Sequence, residues 1–294
     1  MKQFKKPLII LLIIVAALLV GAVILGVLNA LVGKGKWTFG WTDYSYDDAD
    51  YEVGDGSIPA TRITSIELDW IDGNVRIIAC KDAFLSLTES TDSELTEASR
   101  VRWQVNELGE LSIKYRKSSF FLGKTHNKNK DLILRVPERF FEGLKVSVNT
   151  RSANVFVEGI AAQEMVLNTE SGNFALLSDS SAAVLVVKSE SGKLLIGGSI
   201  SEQMELFAKN GEIRVETDQL PKQSKIESES KNENIYLELS PAQAFSLGFE
   251  SESGRYISEF SMEQSGGRLL TGDGSALIDV KTKNGLLYLN QKEE

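Results

Sequence analysis

The chain has 294 residues, a formal net charge of −9 at pH 7, one cysteine and one histidine. Five of its 32 basic residues lie in the first 36 positions, where no acidic residue occurs, so the remainder carries 27 basic against 41 acidic residues, a formal charge of −14. Such a surface repels nucleic acid, whose recognition requires clustered Lys and Arg, and this excludes a nucleic-acid partner. The lone Cys80 excludes an intrachain disulfide, and the lone His126 excludes a zinc site built on several histidines.

The first predicted element is a membrane anchor. Residues 7–33 contain no charged side chain, and about 20 apolar residues suffice to cross a bilayer. The pattern predicts a cytoplasmic tail over residues 1–6 and a transmembrane helix over 7–33. Basic residues before the helix outnumber those just after it, which favours a cytoplasmic N-terminus and an extracytoplasmic C-terminal domain of a single-pass cell-membrane protein. The alternative, a signal peptide cleaved after Ala30, fits less well because its apolar region would be shorter.

Residues 34–60 are predicted to be an acidic, aromatic linker. Aspartates and glutamates recur there among tyrosines and glycines without helical or strand periodicity. A calcium loop would need alternating Asp or Asn followed by a bidentate Glu, and that register is absent from these residues.

The strongest pattern in the sequence is an internal repeat. Ser-Gly or Asn-Gly pairs, or related dipeptides, recur in one register, with corners at positions 73, 153, 172, 192, 211, 233, 254 and 285. Apolar residues stand two and four positions after nearly every corner, and also seven and five positions before it. A small residue precedes most corners by three positions. The exceptions are Tyr256 with Ser258, Ile226 with Ser228, and Trp70.

This period-two alternation predicts β-strands with one buried face on either side of a tight corner. Glycine suits such a corner because it tolerates positive φ. A unit of about 20 residues has too little core of its own, so neighbouring units must stack. We therefore predict an all-β fold: a single-stranded parallel β-solenoid of about 20-residue coils over residues 151–294. A meander of hairpins is the alternative, and equivalent apolar columns favour the solenoid.

Residues 61–150 are predicted to be an irregular β half that caps the solenoid and continues its sheet. Strands are expected near residues 83–88, 101–105, 111–115 and 132–136, with a hairpin turn at 107–110. A polar loop over 118–130 interrupts the acidic sequence with basic and aromatic residues. We predict it as a partner-binding site formed by Phe120, Phe121, Lys124, His126, Lys128 and Lys130. The alternative is a mobile, solvated loop without a partner.

The sequence contains no recognisable catalytic, cofactor-binding or metal-binding motif. No GxSxG or HExxH occurs, and the phosphate-loop pattern fails near Lys193. Paired carboxylates such as Asp69 and Asp72 leave open a glycan-cleaving role. Acidic residues are so frequent in this sequence that any one pair is weak evidence for catalysis.

Several segments together resemble the bacterial adhesin-like family built on domain of unknown function 4097. They are Ile66–Val75, Leu132–Pro137, the Ser-Gly corners and Gly272-Asp273-Gly274 before the last Asn284-Gly285 unit. The resemblance covers residues 61–290. It implies a surface-exposed β-solenoid, often behind one membrane helix, and no catalytic residues.

Three functional hypotheses follow. The first is a non-enzymatic, membrane-anchored binding, adhesion or scaffold module of the cell envelope, whose partner is an envelope protein or a cell-wall glycan. The second is a regulatory ectodomain that senses envelope stress. The third is a carbohydrate lyase or hydrolase built on a β-solenoid. No cofactor is expected under the first.

The anchor hypothesis predicts a specific topology. External protease on intact cells should digest the C-terminal domain, while the mature protein should retain Met1–Lys6, because the basic tail stays inside. N-terminal sequencing of the purified membrane protein measures this. A mature N-terminus that begins after Ala30 would contradict the anchor.

Overall fold

The computed structural model describes residues 44–59, 61–118 and 129–292. The predicted tail (1–6) and transmembrane helix (7–33) lie outside these residues. Within them, no helix is long and apolar enough to cross a membrane. From Ser45 onward the described residues belong to one compact unit, in which strands dominate and the helical turns are two short 3-10 segments, Glu97–Ser99 and Glu138–Phe140.

The described residues form 24 strands. In chain order β1 to β24 are Glu52–Val53, Gly56–Ile58, Ser65–Trp70, Asn74–Cys80, Leu85–Ser90, Arg102–Val105, Glu110–Lys114, Asp131–Pro137, Lys145–Thr150, Asn154–Glu158, Ala161–Thr169, Phe174–Leu176, Ser181–Ser191, Leu194–Ile196, Ser199–Asn210, Ile213–Thr217, Gln223–Ser228, Ile235–Leu239, Phe245–Ser251, Tyr256–Ser258, Glu263–Ser265, Arg268–Thr271, Ala276–Thr282 and Leu287–Gln291.

These strands build two sheets, one of 13 and one of 11 strands among the described residues. Each coil contributes one strand to the 13-stranded sheet, turns a corner and contributes the next strand to the 11-stranded sheet. Successive coils pair in parallel and in register, as β11 with β13 and β12 with β14. The prediction of an all-β fold with parallel stacked strands is confirmed, and the hairpin meander is wrong for the repeat.

The core consists of the predicted apolar columns. Val187 and Leu206 are register partners and are almost fully buried, whereas Lys188 is exposed and Glu205 is half-buried. Apolar residues stack on apolar residues because each coil has its inward positions in the same register as those of its neighbour. Tyr256 breaks its column because it belongs to the last coil along the axis, where no further coil covers it.

The predicted register needs one correction, in the coil formed by β17 and β18. Pairing places Ser224 opposite Met204 and Ile226 opposite Leu206, whereas the second strand keeps the predicted alignment of Ile235 with Ile213. The corner between these strands is therefore two residues longer than its neighbours. This explains why the apolar pattern before that corner matches only in part.

The corner glycines serve mainly a close approach between coils. A Cβ added at Gly211 would lie 1.9 Å from the carbonyl oxygen of Gly192, and one at Gly192 would lie 2.1 Å from that of Gly172. Of these three, only Gly192 has a φ in the left-handed region, at 143°. Tolerance of positive φ, the reason predicted for glycine at these corners, therefore matters less than the lack of space for a Cβ. The small residue three positions earlier has a further role, since the Thr169 hydroxyl accepts a hydrogen bond from Gly172 N at 2.9 Å.

Coil order along the axis differs from chain order at the C-terminal end. The last coil in sequence, β23 with β24, lies between β17/β18 and β19/β20. Its register places Lys281 between Glu227 and Glu250. In chain order those two glutamates would be neighbours, so insertion of the lysine coil separates like charges that would otherwise stand one strand apart.

The N-terminal end shows the same exchange. The first coil in sequence, β3 with β4, lies inside β7 with β8, which forms the outermost coil. The predicted irregular half therefore contains two coils, β3 with β4 and β7 with β8. The expected turn at 107–110 joins antiparallel β6 and β7. Antiparallel strands β6 and β5 continue the two sheets beyond this coil, and antiparallel β22 and β21 extend the 13-stranded sheet at the other end. Such strands cover edges that would otherwise invite pairing with other chains.

The predicted linker of residues 34–60 needs correction over its last part. Strand β1 pairs with β6, and β2 pairs with β5, so this segment adds one edge strand to each sheet. The Asp55 carboxylate accepts a hydrogen bond from Glu89 N at 2.8 Å, and Trp103 Nε1 donates to Gly54 O at 3.0 Å. The strands are two and three residues long, too short to show a period in the sequence.

Close coil approach predicts the cost of a methyl group at a corner. Gly211→Ala should lower the free energy of unfolding by about 1–3 kcal/mol, because backbone of the next coil occupies the Cβ position. Gly197→Ala is the control, since its Cβ would meet its nearest atom at 3.4 Å. Urea denaturation of the two variants measures the difference. Equal effects would mean that the corners do not limit coil spacing.

Candidate binding surface

The predicted partner-binding loop divides into two parts. Phe120, Phe121, Lys124, His126 and Lys128 lie outside the described residues. Lys130 is described, and it needs correction: its side chain is fully buried. It occupies the corner of the outermost coil, where Gly73 of the next coil packs against its backbone. The side chain turns inward and is not available to a surface partner.

The Lys130 ammonium has a complete set of internal partners. It donates to Glu89 Oε2 at 2.9 Å, to Ser99 O at 2.7 Å and to Tyr115 O. It also lies 5.0 Å from the Trp70 ring centroid and 4.2 Å from that of Tyr115. Burial lowers the pKa of Lys130, although the Glu89 carboxylate opposes this. These contacts are all internal, and they make Lys130 a structural residue.

Asp69, a candidate carboxylate, is likewise held in structural contacts. It is buried on the outer side of β3, where it accepts hydrogen bonds from Lys114 Nζ and from Asn149 Nδ2, the latter at 3.1 Å. Burial raises the pKa of Asp69, and Lys114 acts in the opposite direction. Asp72, its predicted companion, accepts from Gly73 N at 2.9 Å within the corner. The two carboxylates therefore have separate structural roles.

The surface feature that distinguishes this molecule is a line of side chains on the outer face of the 11-stranded sheet, here called the outer row. One residue per coil contributes, in consecutive register pairs across β10, β12, β14, β16, β18, β24 and β20. Along the axis the row reads Phe156, Ala175, Leu195, Arg214, Tyr236, Tyr288 and Ile257. With strands about 4.8 Å apart, its six steps extend over about 29 Å.

The outer row exposes large apolar groups. Phe156, Leu195 and Ile257 are 36%, 39% and 41% exposed. The strand neighbours of Phe156 and Leu195 on the inner face are buried. Scattered apolar residues on a surface need no explanation. Their alignment is different, because three of the seven coils expose a large apolar side chain at the same position, although Ala175 between Phe156 and Leu195 is buried.

The middle of the outer row is a stack of three side chains. The Tyr236 and Tyr288 rings are nearly parallel, with centroids 4.9 Å apart and planes at 8°. The Arg214 guanidinium carbon lies 4.8 Å from the Tyr236 centroid. Asn234 Nδ2 donates to the Tyr236 hydroxyl at 3.2 Å. Stacking fixes these rings in one orientation, so their edges and hydroxyls form a rigid surface.

Polar columns border the row on both sides. On one side, asparagines form a ladder at the corners, where Asn173 Nδ2 donates to Asn154 Oδ1 and Asn154 Nδ2 donates to Asn74 Oδ1, both at 3.1 Å. On the other side are carboxylates with basic partners. The ion pairs of this face are Arg76–Glu158 at 3.0 Å, Arg214–Glu238 at 2.7 Å and Lys292–Glu216 at 3.5 Å.

The outer row was missed by the sequence analysis, although its signal is present there. Its members stand three positions after the corners, between the two inward apolar positions. Outward positions of an exposed sheet are expected to be polar, yet Phe156, Leu195, Tyr236, Tyr288 and Ile257 are not. Chain order hides the Tyr236–Tyr288 contact, because 52 positions separate these residues and the inserted coil joins them.

Burial of Lys130 predicts a large cost for its removal. Lys130→Met should lower the free energy of unfolding by about 3–5 kcal/mol, because Glu89 is left charged and buried. Lys145→Met removes an exposed lysine, paired with Glu164 at 3.5 Å, and should cost less than about 1 kcal/mol. Chemical denaturation measures both. If both variants lose the same small amount of unfolding free energy, the Lys130 side chain is not buried and faces solvent.

Comparison with known proteins places the chain in a family. It resembles a "putative cell adhesion protein" from Clostridium sporogenes at 11% identity, over 83% of this chain and 100% of that chain, with a TM-score of 0.36. It also resembles a "putative adhesin" from Bacteroides fragilis at 12% identity, over 82% of this chain and 97% of that chain, with a TM-score of 0.40. A "putative adhesin" from Parabacteroides merdae matches at 12% identity, over 81% of this chain and 96% of that chain, with a TM-score of 0.42. No curated protein matches the chain. The model of the Toastrack DUF4097 family matches residues 63–230 and 144–289. The two matches to this family model together span residues 63–289, more than half of the chain, and the chain belongs to the Toastrack DUF4097 family.

Proposed function

We propose that this chain is a non-catalytic binding module of the cell envelope, of the adhesion type, which engages its partner through the outer row. The observation that carries the proposal is the alignment of these side chains at one position of seven coils. Phe156, Leu195 and Ile257 are exposed there, and Tyr236 and Tyr288 are stacked. A rigid surface of this kind loses little conformational entropy on binding, because its side chains are already ordered.

A catalytic role is less well supported. The buried carboxylates with the strongest contacts, Asp69 and Glu89, each accept from a lysine and from a second hydrogen-bond donor. Groups used in this way hold strands together, whereas acid–base catalysis needs a titratable group within reach of a substrate.

Location at the envelope is part of the proposal. Its support is the uncharged stretch of residues 7–33, preceded by Lys2, Lys5 and Lys6, which suits a single-pass anchor with the solenoid outside. The acidic composition of the remaining chain suits a module that stays away from anionic lipid headgroups.

The test compares binding of full-length protein, in detergent, to isolated cell envelopes. Tyr288→Ala should weaken binding by about tenfold or more, because it removes a central aromatic of the row. Phe207→Ala is the matched control, since Phe207 is half-buried on the outer side of the other sheet. Co-sedimentation measures the bound fraction, and thermal melting verifies that both variants fold. Wild-type affinity of Tyr288→Ala would refute the proposed surface.

A further inference from the structure

The shape and charge of the outer row restrict what it can bind, an inference that rests on the proposed function. The row is one side chain wide and about 29 Å long, and polar columns border it. A globular protein partner would bury a broad patch with an apolar centre, about 800 Å² on each side. A narrow line fits a linear polymer better than a globular domain.

The backbone of this face argues against an extended peptide. Peptides that bind sheets as strands take their affinity from unpaired backbone groups at an edge. Along the outer row each central strand, such as β14, is paired with a neighbour on both sides. Its N–H and C=O groups are already engaged in the ladder, so a peptide lying across the strands would find no main-chain partners there.

The charges of this face argue against an ionic ligand. Every charged side chain in the seven strands of the row has an oppositely charged partner: Glu158 with Arg76, Arg214 with Glu238, and Glu216 with Lys292. Lys292 and Arg214 are also shared with Asp218 and Glu212, just outside these strands, so this face carries no excess of positive charge. A polyanion would have to displace internal pairs on an otherwise acidic protein, and a polycation would lose the same pairs.

What remains is a polymer with hydroxyl groups and apolar C–H surfaces but no charge. The row offers apolar contact at Phe156, Leu195 and Ile257. Elsewhere along the row are hydroxyl and amide groups, including the Tyr236 hydroxyl, which accepts a hydrogen bond from Asn234 and can still donate one. We propose that the outer row binds a neutral, linear polysaccharide lying along the coil axis.

The experiment uses full-length protein in detergent and three preparations of envelopes: untreated, digested with protease, and oxidised with periodate, which cleaves the vicinal diols of sugars. Binding should survive protease and fall by about tenfold or more after periodate. Raising NaCl from about 50 to about 500 mM should change the affinity by less than about twofold, because screening acts on charged ligands.

Variants within one coil locate the surface. Leu195→Asp should weaken binding to protease-digested envelopes by about tenfold, since an added carboxylate must lose its hydration under a neutral ligand. Val186→Asp is the control in the same coil, half-buried on the outer side of the other sheet, and should bind as wild type. Circular dichroism confirms folding of both.

The outcomes separate this inference from the proposed function. Loss of binding after protease but not after periodate would overturn the polysaccharide and leave the binding surface in place. A steep decrease with salt would overturn its neutrality. If no envelope preparation binds the wild-type protein, or if Tyr288→Ala and Leu195→Asp both bind normally, the proposed function fails with it.

Discussion

Every coil of this solenoid lies one strand spacing, about 4.8 Å, from its neighbours, and the rest of the structure depends on that spacing. It leaves no room for a Cβ between a corner and the carbonyl of the adjacent coil, so glycine is required at Gly192 and Gly211. It also places equivalent residues of successive coils in contact, so each inward position becomes an apolar column and each outward position a row. The core and the candidate binding surface are two products of one repeat.

Much of this architecture could be predicted from the sequence, because the inward pattern is periodic. The columns through Val187 and Leu206 follow directly from apolar residues at fixed distances from each corner. The predicted register was wrong for β17, because the corner before Ile235 is two residues longer than its neighbours. Two extra residues change the spacing of the pattern but not its composition. The order of the coils could not be read at all. Charge alternation around Lys281 is visible only once β23 is known to lie between β17 and β19.

The candidate site was harder to predict than the fold. A basic, aromatic loop drew attention because it differs from the acidic surroundings, yet its described member Lys130 is buried among Trp70, Tyr115 and Glu89. Composition alone does not separate a lysine that faces solvent from one that fills a core. The outer row poses the opposite difficulty. Each of its residues is ordinary by itself in the sequence, and only their alignment in the fold makes them a candidate surface. Tyr236 and Tyr288 meet only through the inserted coil.

The inverted coil order also affects how the molecule comes apart. In a repeat protein stacked in chain order, each terminal coil is bonded on one side and frays first. Here both coils nearest the ends of the solenoid sequence, β3/β4 and β23/β24, are bonded to a neighbour on each side. Peeling the chain from either end must break two ladders at once. A solenoid bonded in this way should unfold by a larger concerted step. That property suits the proposed module, because a pull between a membrane anchor and a bound surface would act on the chain ends.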